Sequence, residues 1–211
     1  MADTETLPSE LPLFPLGGTI LLPGEVLPLN VFEPRYLNMV DDVRRGHGHI
    51  GIIQTRAGGS PDKPGLARVG CAGRLDQFQE TSDGRYLITL RGVSRFTLAA
   101  EIETAAPYRV ARTDYLAFEH DLESRQAPEE GRERLIRLLE VWLESEGLST
   151  DWDNLGTAPL PRMIDQLSMI APFAAPERQR LLLANDCAER LEVMETILAA
   201  RIAGSADGSM H

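Results

Sequence analysis

Residues 11–46, LPLFPLGGTILLPGEVLPLNVFEPRYLNMVDDVRRG, decide the fold of the N-terminal part of this chain. The stretch contains two short apolar runs, 11–16 and 26–32, separated by a turn rich in glycine and proline. Apolar runs of this length between such breakers predict β-strands. A helical pattern then begins at Pro34 and ends at Gly46, because proline suits the first turn of a helix and glycine suits the position just past its end.

The next seventy residues predict four more strands. Residues 56–68 are dense in glycine and proline, so they predict a mobile loop. The apolar alternation changes phase around Gly92, which is typical of a bulged or bent strand. The four predicted strands are 49–54, 69–81, 85–98 and 107–118. Six strands close together in the sequence favour a mostly antiparallel, partly closed barrel, with the helix after residue 33 packed on it.

The C-terminal part of the chain predicts a helical bundle. Residues 119–131 are acidic and carry a proline and a glycine, so they predict a linker between subdomains at 10–118 and 132–202. Apolar residues then recur with a helical period. One helix begins at residue 132, a short one at 161, and a long one runs from 176 to about 202. Residues 1–9 and 203–211 are predicted to be disordered tails.

Composition excludes several classes of protein. The net charge is −11, and no cluster of Lys and Arg exceeds two residues, so a nucleic-acid partner is not expected. No run of eighteen apolar residues is present, so we expect no membrane span. The N-terminal MADTETLPSE lacks the features of a signal peptide. Two well-separated cysteines are then expected to be reduced thiols in the cytoplasm.

The sequence contains a single lysine, Lys63, between Asp62 and Pro64. A P-loop requires Gly-Lys-Ser/Thr, so a P-loop ATPase is excluded. A Ser–Lys catalytic pair would have to use this one lysine, because arginine stays protonated and cannot act as a base. No G-x-S-x-G nucleophile motif occurs either. The sequence therefore predicts a protein that is not an enzyme and needs no cofactor.

LPLFPL followed by LLPGEVLPLNVFEPRY resembles the opening of the Lon N-terminal domain, the substrate-recognition part of Lon-type ATP-dependent proteases. The chain is most similar to the stand-alone bacterial proteins that carry this domain without ATPase or peptidase domains. Five later segments also resemble the family, namely HIGIIQ at 49–54, GCAGRL at 70–75, RYLITLRGVSRF at 85–96, PYRVARTDYL at 107–116 and RLLLANDCAERLEVMETIL at 180–198.

The resemblance implies an α+β architecture: a PUA-like, six-stranded pseudo-barrel with one packed helix, followed by a helical bundle. It also implies a non-catalytic module, linked to ATP-dependent proteolysis, that binds exposed apolar segments of unfolded or client polypeptides. Addition of a strand to an open barrel edge, together with apolar pockets, would provide such binding. Two other classes stay open: an RNA-binding PUA-like domain, which the acidic charge disfavours, and an unrecognised hydrolase. An exposed apolar stripe on the long helix would favour a homodimer.

The candidate peptide-binding residues are Glu33, Pro34, Arg35 and Tyr36. They lie at a helix start beside an apolar strand, where free backbone N–H groups, the guanidinium and the phenol could hold an extended peptide. The alternative is structural: Glu33 and Arg35 pair with each other, and Tyr36 belongs to the core.

Three further groups favour structural roles. In the family-like G-x-x-R-F element, Gly92 is expected to permit a bend and Arg95 to anchor a carbonyl or carboxylate. His47 and His49 form an H-x-H pair, but a zinc site needs three or four ligands, so no metal is expected. Cys71 has no histidine at a recognisable spacing and is expected to be a core thiol.

Overall fold

The structure, a computed structural model, describes residues 7–60, 63–122, 131–149 and 158–208. The chain divides into two compact units, residues 1–123 and 124–211. Most of the predicted linker at 119–131 and half of the predicted tail residues lie outside the described residues. Two described parts of these predictions are wrong: 119–122 belong to a 3-10 helix, and 203–208 continue the last α-helix.

The described residues of the N-terminal unit form seven strands, one α-helix and a 3-10 helix. The strands are β1 (Glu10–Leu16), β2 (Val26–Val31), β3 (His49–Ser60), β4 (Lys63–Leu66), β5 (Val69–Glu80), β6 (Tyr86–Ile102) and β7 (Val110–Asp114). Helix α1 (Pro34–Arg45) lies between β2 and β3, and the 3-10 helix (Leu116–Leu122) follows β7. Pro34 in the first turn and Gly46 just past the last turn mark the ends of α1, as the sequence predicts.

Five of the strands close into a ring, in the order β1-β7-β6-β5-β3 and back to β1. The β1–β3 pairing is parallel, and the other pairings among the described strands are antiparallel. Strands β2 and β4 lie outside the ring, paired to β6 and β3. The interior is filled by apolar side chains that include Leu11, Leu13, Ile53, Ala72, Phe96 and Ala111. The α+β class and the mostly antiparallel sheet are confirmed, and the PUA-like assignment stays a prediction.

The sequence underestimates the number of strands, because residues 56–68 are not a mobile loop. Their described part forms the end of β3 and the whole of β4, paired from Thr55–Leu66 to Ser60–Lys63 with a bulge after Arg56. A Cβ at Gly59 would collide with the carbonyl of Lys63, so the glycines that indicate a loop permit this close approach. The last predicted strand, 107–118, is also too long, since β7 ends at residue 114.

Both structural expectations for the G-x-x-R-F element hold. A Cβ at Gly92 would collide with the carbonyl oxygen of Leu22, so only glycine fits there. The Arg95 guanidinium is buried and donates to both carboxylate oxygens of Asp121 at 2.7–3.2 Å, while its backbone N–H donates to the same carboxylate at 2.9 Å. This pair attaches the 3-10 helix to β6.

The C-terminal unit is a helical bundle, as predicted. Its helices are α2 (Arg132–Ser145), α3 (Leu160–Ile170), α4 (Ala175–Leu183) and α5 (Cys187–Gly208). Trp142 stacks on Phe173 in the core, with ring centroids 5.5 Å apart. The predicted long helix from 176 to 202 is two helices, because the chain leaves helical geometry at Ala184. The buried Arg190 donates to the carbonyls of Leu181 and Ala184 there, which satisfies the end of α4.

The large apolar side chains of α5 up to residue 204 are buried or half-buried. The described part of this helix therefore offers no exposed apolar stripe for a second copy of the chain. The homodimer stays a prediction, without the support that such a stripe would give it.

Candidate functional site

A cavity of about 560 Å³ opens on the N-terminal unit beside the start of α1. Four segments form its walls: the end of β1, the residues around the α1 N-terminus, the β3–β4 hairpin, and the β6–β7 hairpin. Its residues are Phe14, Pro15, Leu16, Glu33, Arg35, Tyr36, Thr55, Lys63, Pro64, Glu101, Ile102, Glu103, Thr104, Pro107, Tyr108 and Arg109. The volume lies in the usual range for ligand-binding cavities, about 300–1,000 Å³.

Three of the four candidate residues lie in this cavity. Glu33 and Arg35 form one wall, where Nε and Nη2 of the guanidinium donate to one carboxylate oxygen at 2.9 and 2.7 Å. Both side chains are more than 40% exposed, so the pair is accessible to a ligand. Pro34 is not part of the wall, and its role is to begin α1. The internal pairing that the structural alternative expects is therefore present, and it lies inside the cavity.

Tyr36 packs between the wall and the core. Its ring stacks on Phe14 with a centroid separation of 4.2 Å and an interplanar angle of 15°, and the Arg35 guanidinium carbon lies 4.7 Å from its centroid. Only 7% of the residue is exposed. Burial raises the pKa of its phenol, Arg35 and Arg109 lower it, and Glu33 raises it. The phenol therefore stays protonated near neutral pH and can donate a hydrogen bond.

The opposite wall is built by charged residues that the sequence does not single out. Arg109 donates to both carboxylate oxygens of Glu101, at 2.8 and 2.6 Å, and to the carbonyl oxygen of Pro64 at 2.7 Å. The ammonium of Lys63 lies 3.8 Å from Glu101. These partners, Arg109 first, hold the pKa of Glu101 below its usual value despite the opposing effect of burial. Pairing across two hairpins brings this cluster together, so no local spacing in the sequence could have indicated it.

The cavity walls combine balanced charges with apolar surface. Three carboxylates, at residues 33, 101 and 103, face three cations, at residues 35, 63 and 109, so the charges balance. No His, Cys or Ser occurs among the described residues of its walls. The apolar surface comes from stacked aromatic rings and prolines.

The other candidate groups lie outside this cavity. His47 and His49 are neighbours, with centroids 5.8 Å apart, and the backbone N–H of His49 donates to Nδ1 of His47 at 3.1 Å. Burial and the neighbouring imidazole lower the pKa of His47. In the part of the chain that the structure describes, no three His, Cys, Asp or Glu residues are grouped closely enough to hold a metal ion. Cys71 is fully buried within the sheet.

Comparison with known protein families shows which family this chain belongs to. The model of the ATP-dependent protease La (LON) substrate-binding domain matches residues 10–200. The chain belongs to the Lon substrate-binding domain family. The Lon family resemblance in the sequence is therefore confirmed, and the match is to a non-catalytic part of Lon. Within the described residues, no helix is long and apolar enough to cross a membrane.

The curated relatives are full Lon proteases of bacteria. Lon protease 2 of Myxococcus xanthus is 25% identical over 204 residues, which is 94% of this chain and 24% of that protein. Lon protease 4 of Sorangium cellulosum is 34% identical over 107 residues, 50% of this chain and 13% of that protein. This chain therefore spans a quarter or less of the length of these two relatives.

Solved structures show the same fold. A Lon N-terminal domain protein from Xanthomonas campestris is 28% identical, with a TM-score of 0.62 over 88% of this chain and 96% of the other. The N-terminal domain of Mycobacterium avium complex Lon protease is 17% identical, with a TM-score of 0.62 over 90% and 98%. At that identity, the second likeness concerns the fold alone.

Proposed function

We propose that this protein binds exposed apolar segments of unfolded or client polypeptides, in a role linked to Lon-type proteolysis, and that the cavity beside α1 holds the segment. The observation that carries the proposal is the family match to a substrate-binding domain, together with a cavity whose wall includes Glu33, Arg35 and Tyr36. Its volume would hold a few side chains of an extended peptide. The two free cysteines, both buried, fit a reducing cytoplasm, where we place the protein.

The walls match an apolar segment with a neutral backbone. Phe14, Ile102 and three prolines provide apolar contact surface, which drives association when it is removed from water. Glu33 is already paired with Arg35, and Glu101 with Arg109, so a neutral ligand leaves these charges with their partners.

Strand addition at a sheet edge is the weaker route. Bonds between Gly24 N–H and the Gly92 carbonyl and between Gly92 N–H and the Glu25 carbonyl fix the register of β2 on β6. From Glu25, every second residue of β2 points its backbone toward β6, so Pro28 faces the open edge. Proline has no N–H to offer, and an incoming strand loses a hydrogen bond at the centre of β2.

RNA binding, the second candidate, has no comparable support. Aromatic stacking platforms for bases need exposed rings beside unpaired cations. In this cavity Tyr36 is almost fully buried, and both arginines are paired with carboxylates. The net charge of −11 adds a long-range repulsion of phosphate.

A fluorescence-anisotropy titration at physiological salt tests the proposal. The probes are a fluorescein-labelled, uncharged peptide of Phe, Leu, Ser and Gly, capped at both ends, and a single-stranded RNA. We expect saturable peptide binding that weakens in Arg35→Ala, because the accessible wall of the cavity is lost. Arg45→Ala is the matched control, since Arg45 lies on the same helix outside the cavity and pairs with Asp42 on the surface.

Equal loss of affinity in Arg35→Ala and Arg45→Ala would place the peptide elsewhere. If the RNA binds with an affinity that falls steeply as the salt concentration rises, and the peptide does not bind, the proposal is wrong and the protein belongs to the nucleic-acid-binding class.

A further inference from the structure

We propose that the Tyr36 hydroxyl donates a hydrogen bond to a neutral main-chain carbonyl of the bound polypeptide. The inference rests on the proposed function and names the chemical group of the polypeptide that the cavity recognises. A carbonyl is common to every peptide, so this contact gives affinity without demanding a particular sequence.

Among the described residues, the Tyr36 hydroxyl is the phenol without a hydrogen-bond partner. The chain has four tyrosines. The hydroxyls of Tyr86, Tyr108 and Tyr115 bond to Asp41, Asp42 and the Pro8 carbonyl, respectively. The Tyr36 hydroxyl bonds to no described residue, although the side chain is 93% buried. A phenol can donate one hydrogen bond, so this hydroxyl is available to a ligand in the cavity.

The position of the ring directs this hydroxyl into the cavity. The ring is stacked on Phe14 and lies against the Arg35 guanidinium, which holds it in one orientation. Tyr36 lines the cavity, and its hydroxyl is not among the polar atoms that are shut off from solvent without a partner. The open part of this side chain therefore includes its hydrogen-bonding end.

The surrounding groups favour a neutral acceptor over a carboxylate. Pro15, Pro64 and Pro107 contribute wall without any backbone N–H, so hydrogen-bond donors in the cavity are mainly side chains. The three carboxylates and three cations of the walls balance, so an anionic terminus or an acidic side chain would lose its hydration without meeting a net positive charge. A main-chain carbonyl accepts a hydrogen bond from a phenol without bringing a charge.

The test is Tyr36→Phe, measured by anisotropy with the capped neutral peptide described above. A neutral hydrogen bond contributes enough for a loss of about two- to tenfold in affinity. The Tm of the variant should be almost unchanged, because the substitution removes no hydrogen bond to a described residue. The same peptide with a free C-terminal carboxylate should bind wild type more weakly than the capped one.

Tyr86→Phe is the control, since it removes a phenol that bonds to Asp41 outside the cavity, and it should bind peptide as wild type does. Wild-type affinity in Tyr36→Phe would overturn the carbonyl contact while leaving the proposed function intact. Tighter binding of the uncapped peptide would overturn the preference for a neutral acceptor. Absence of peptide binding by wild type would overturn both the inference and the proposed function.

Discussion

At the scale of single residues, arginine side chains tie the ends of elements together in both units. Arg178 donates to the carbonyl of Met169 in the last turn of α3 and to those of Ala171 and Phe173 just after it. In the same way, Arg109 joins the β6–β7 hairpin to the β3–β4 hairpin, because it donates to the carbonyl oxygen of Pro64. A guanidinium carries five N–H donors in a fixed plane, whereas a lysine ammonium carries three on one atom. The near absence of lysine from this chain fits these multidentate roles.

The buried Arg95–Asp121 pair gives the sharpest prediction at this scale. The side chains are 1% and 2% exposed. Asp121→Asn keeps the shape but leaves a buried guanidinium without its counter-charge. We expect a loss of about 3 kcal/mol in the free energy of unfolding, measured by urea denaturation, because breaking one side of a buried pair is costly.

Asp76→Asn serves as the comparison, because Asp76 pairs with Arg91 at 3.1 Å on the surface. That substitution should change the free energy of unfolding by less than about 1 kcal/mol. If both variants lose the same amount, the buried pair does not hold the 3-10 helix to β6 as described.

At the scale of elements, two tyrosine–aspartate bonds hold α1 against its neighbours. The Tyr86 hydroxyl lies 3.3 Å from Asp41, and the Tyr108 hydroxyl donates to Asp42 at 2.8 Å. The second bond fixes the β6–β7 hairpin to α1, and both elements form walls of the cavity. Burial raises the pKa of Tyr108 to about 12, and the hydrogen bond and charge of Asp42 act in the same direction.

This elevated pKa predicts a loss of stability at alkaline pH. The folded state favours protonated Tyr108, so the contribution is complete below pH 10.0 and disappears as the pH rises from there to about 12. The ultraviolet absorbance of ionised phenol should show one tyrosine titrating near pH 12. Asp42→Asn should lower that value, and Tyr108→Phe should remove it. A titration unchanged by Asp42→Asn would mean that the bond is absent in solution.

Prolines on the two outer strands protect the open edges of the sheet. Pro28 lies in β2 and Pro64 in β4, and neither can donate to an added strand. Pro28→Val restores an N–H at the β2 edge, so we expect greater self-association in sedimentation velocity. Thr89→Val is the control, because Thr89 pairs with Pro28 from the central strand β6 and adds no edge donor. If the two variants self-associate equally, the added apolar side chain explains the effect and the restored N–H does not.

The local sequence predicts an element well where the glycines and prolines at its ends agree with the spacing of its apolar residues, as in α1, β1 and β2. It fails where tertiary contacts decide the conformation. Residues 56–68 have the composition of a loop, yet pairing of β3 with β4 makes them a hairpin. Residues 176–202 show a single helical spacing of apolar residues, yet the helix is interrupted at Ala184. Arg190 donates hydrogen bonds to the carbonyls of Leu181 and Ala184 there, which satisfies the helix end. Neither of these interactions is encoded in a short window of sequence.

At the scale of the whole molecule, the sequence locates half of the candidate site. Glu33, Arg35 and Tyr36 follow one another along the chain, so a motif can indicate them. Arg109 and Glu101 come together only when β6 pairs with β7, and Lys63 reaches them only through the unpredicted strand β4. Because the sequence predicts residues 56–68 to be a loop, it does not indicate the cavity wall to which they contribute.

The central claim is that the cavity beside α1 is where a polypeptide binds. The measurement that tests it most directly is an NMR titration of the full chain, labelled with ¹⁵N, against the capped neutral peptide. We predict that the largest amide shifts fall on the four segments that form the cavity, around Phe14, Tyr36, Lys63 and Arg109. Shifts that instead fall on the exposed side chains Val26, Phe32 and Leu87, or in the helical unit, would contradict the account.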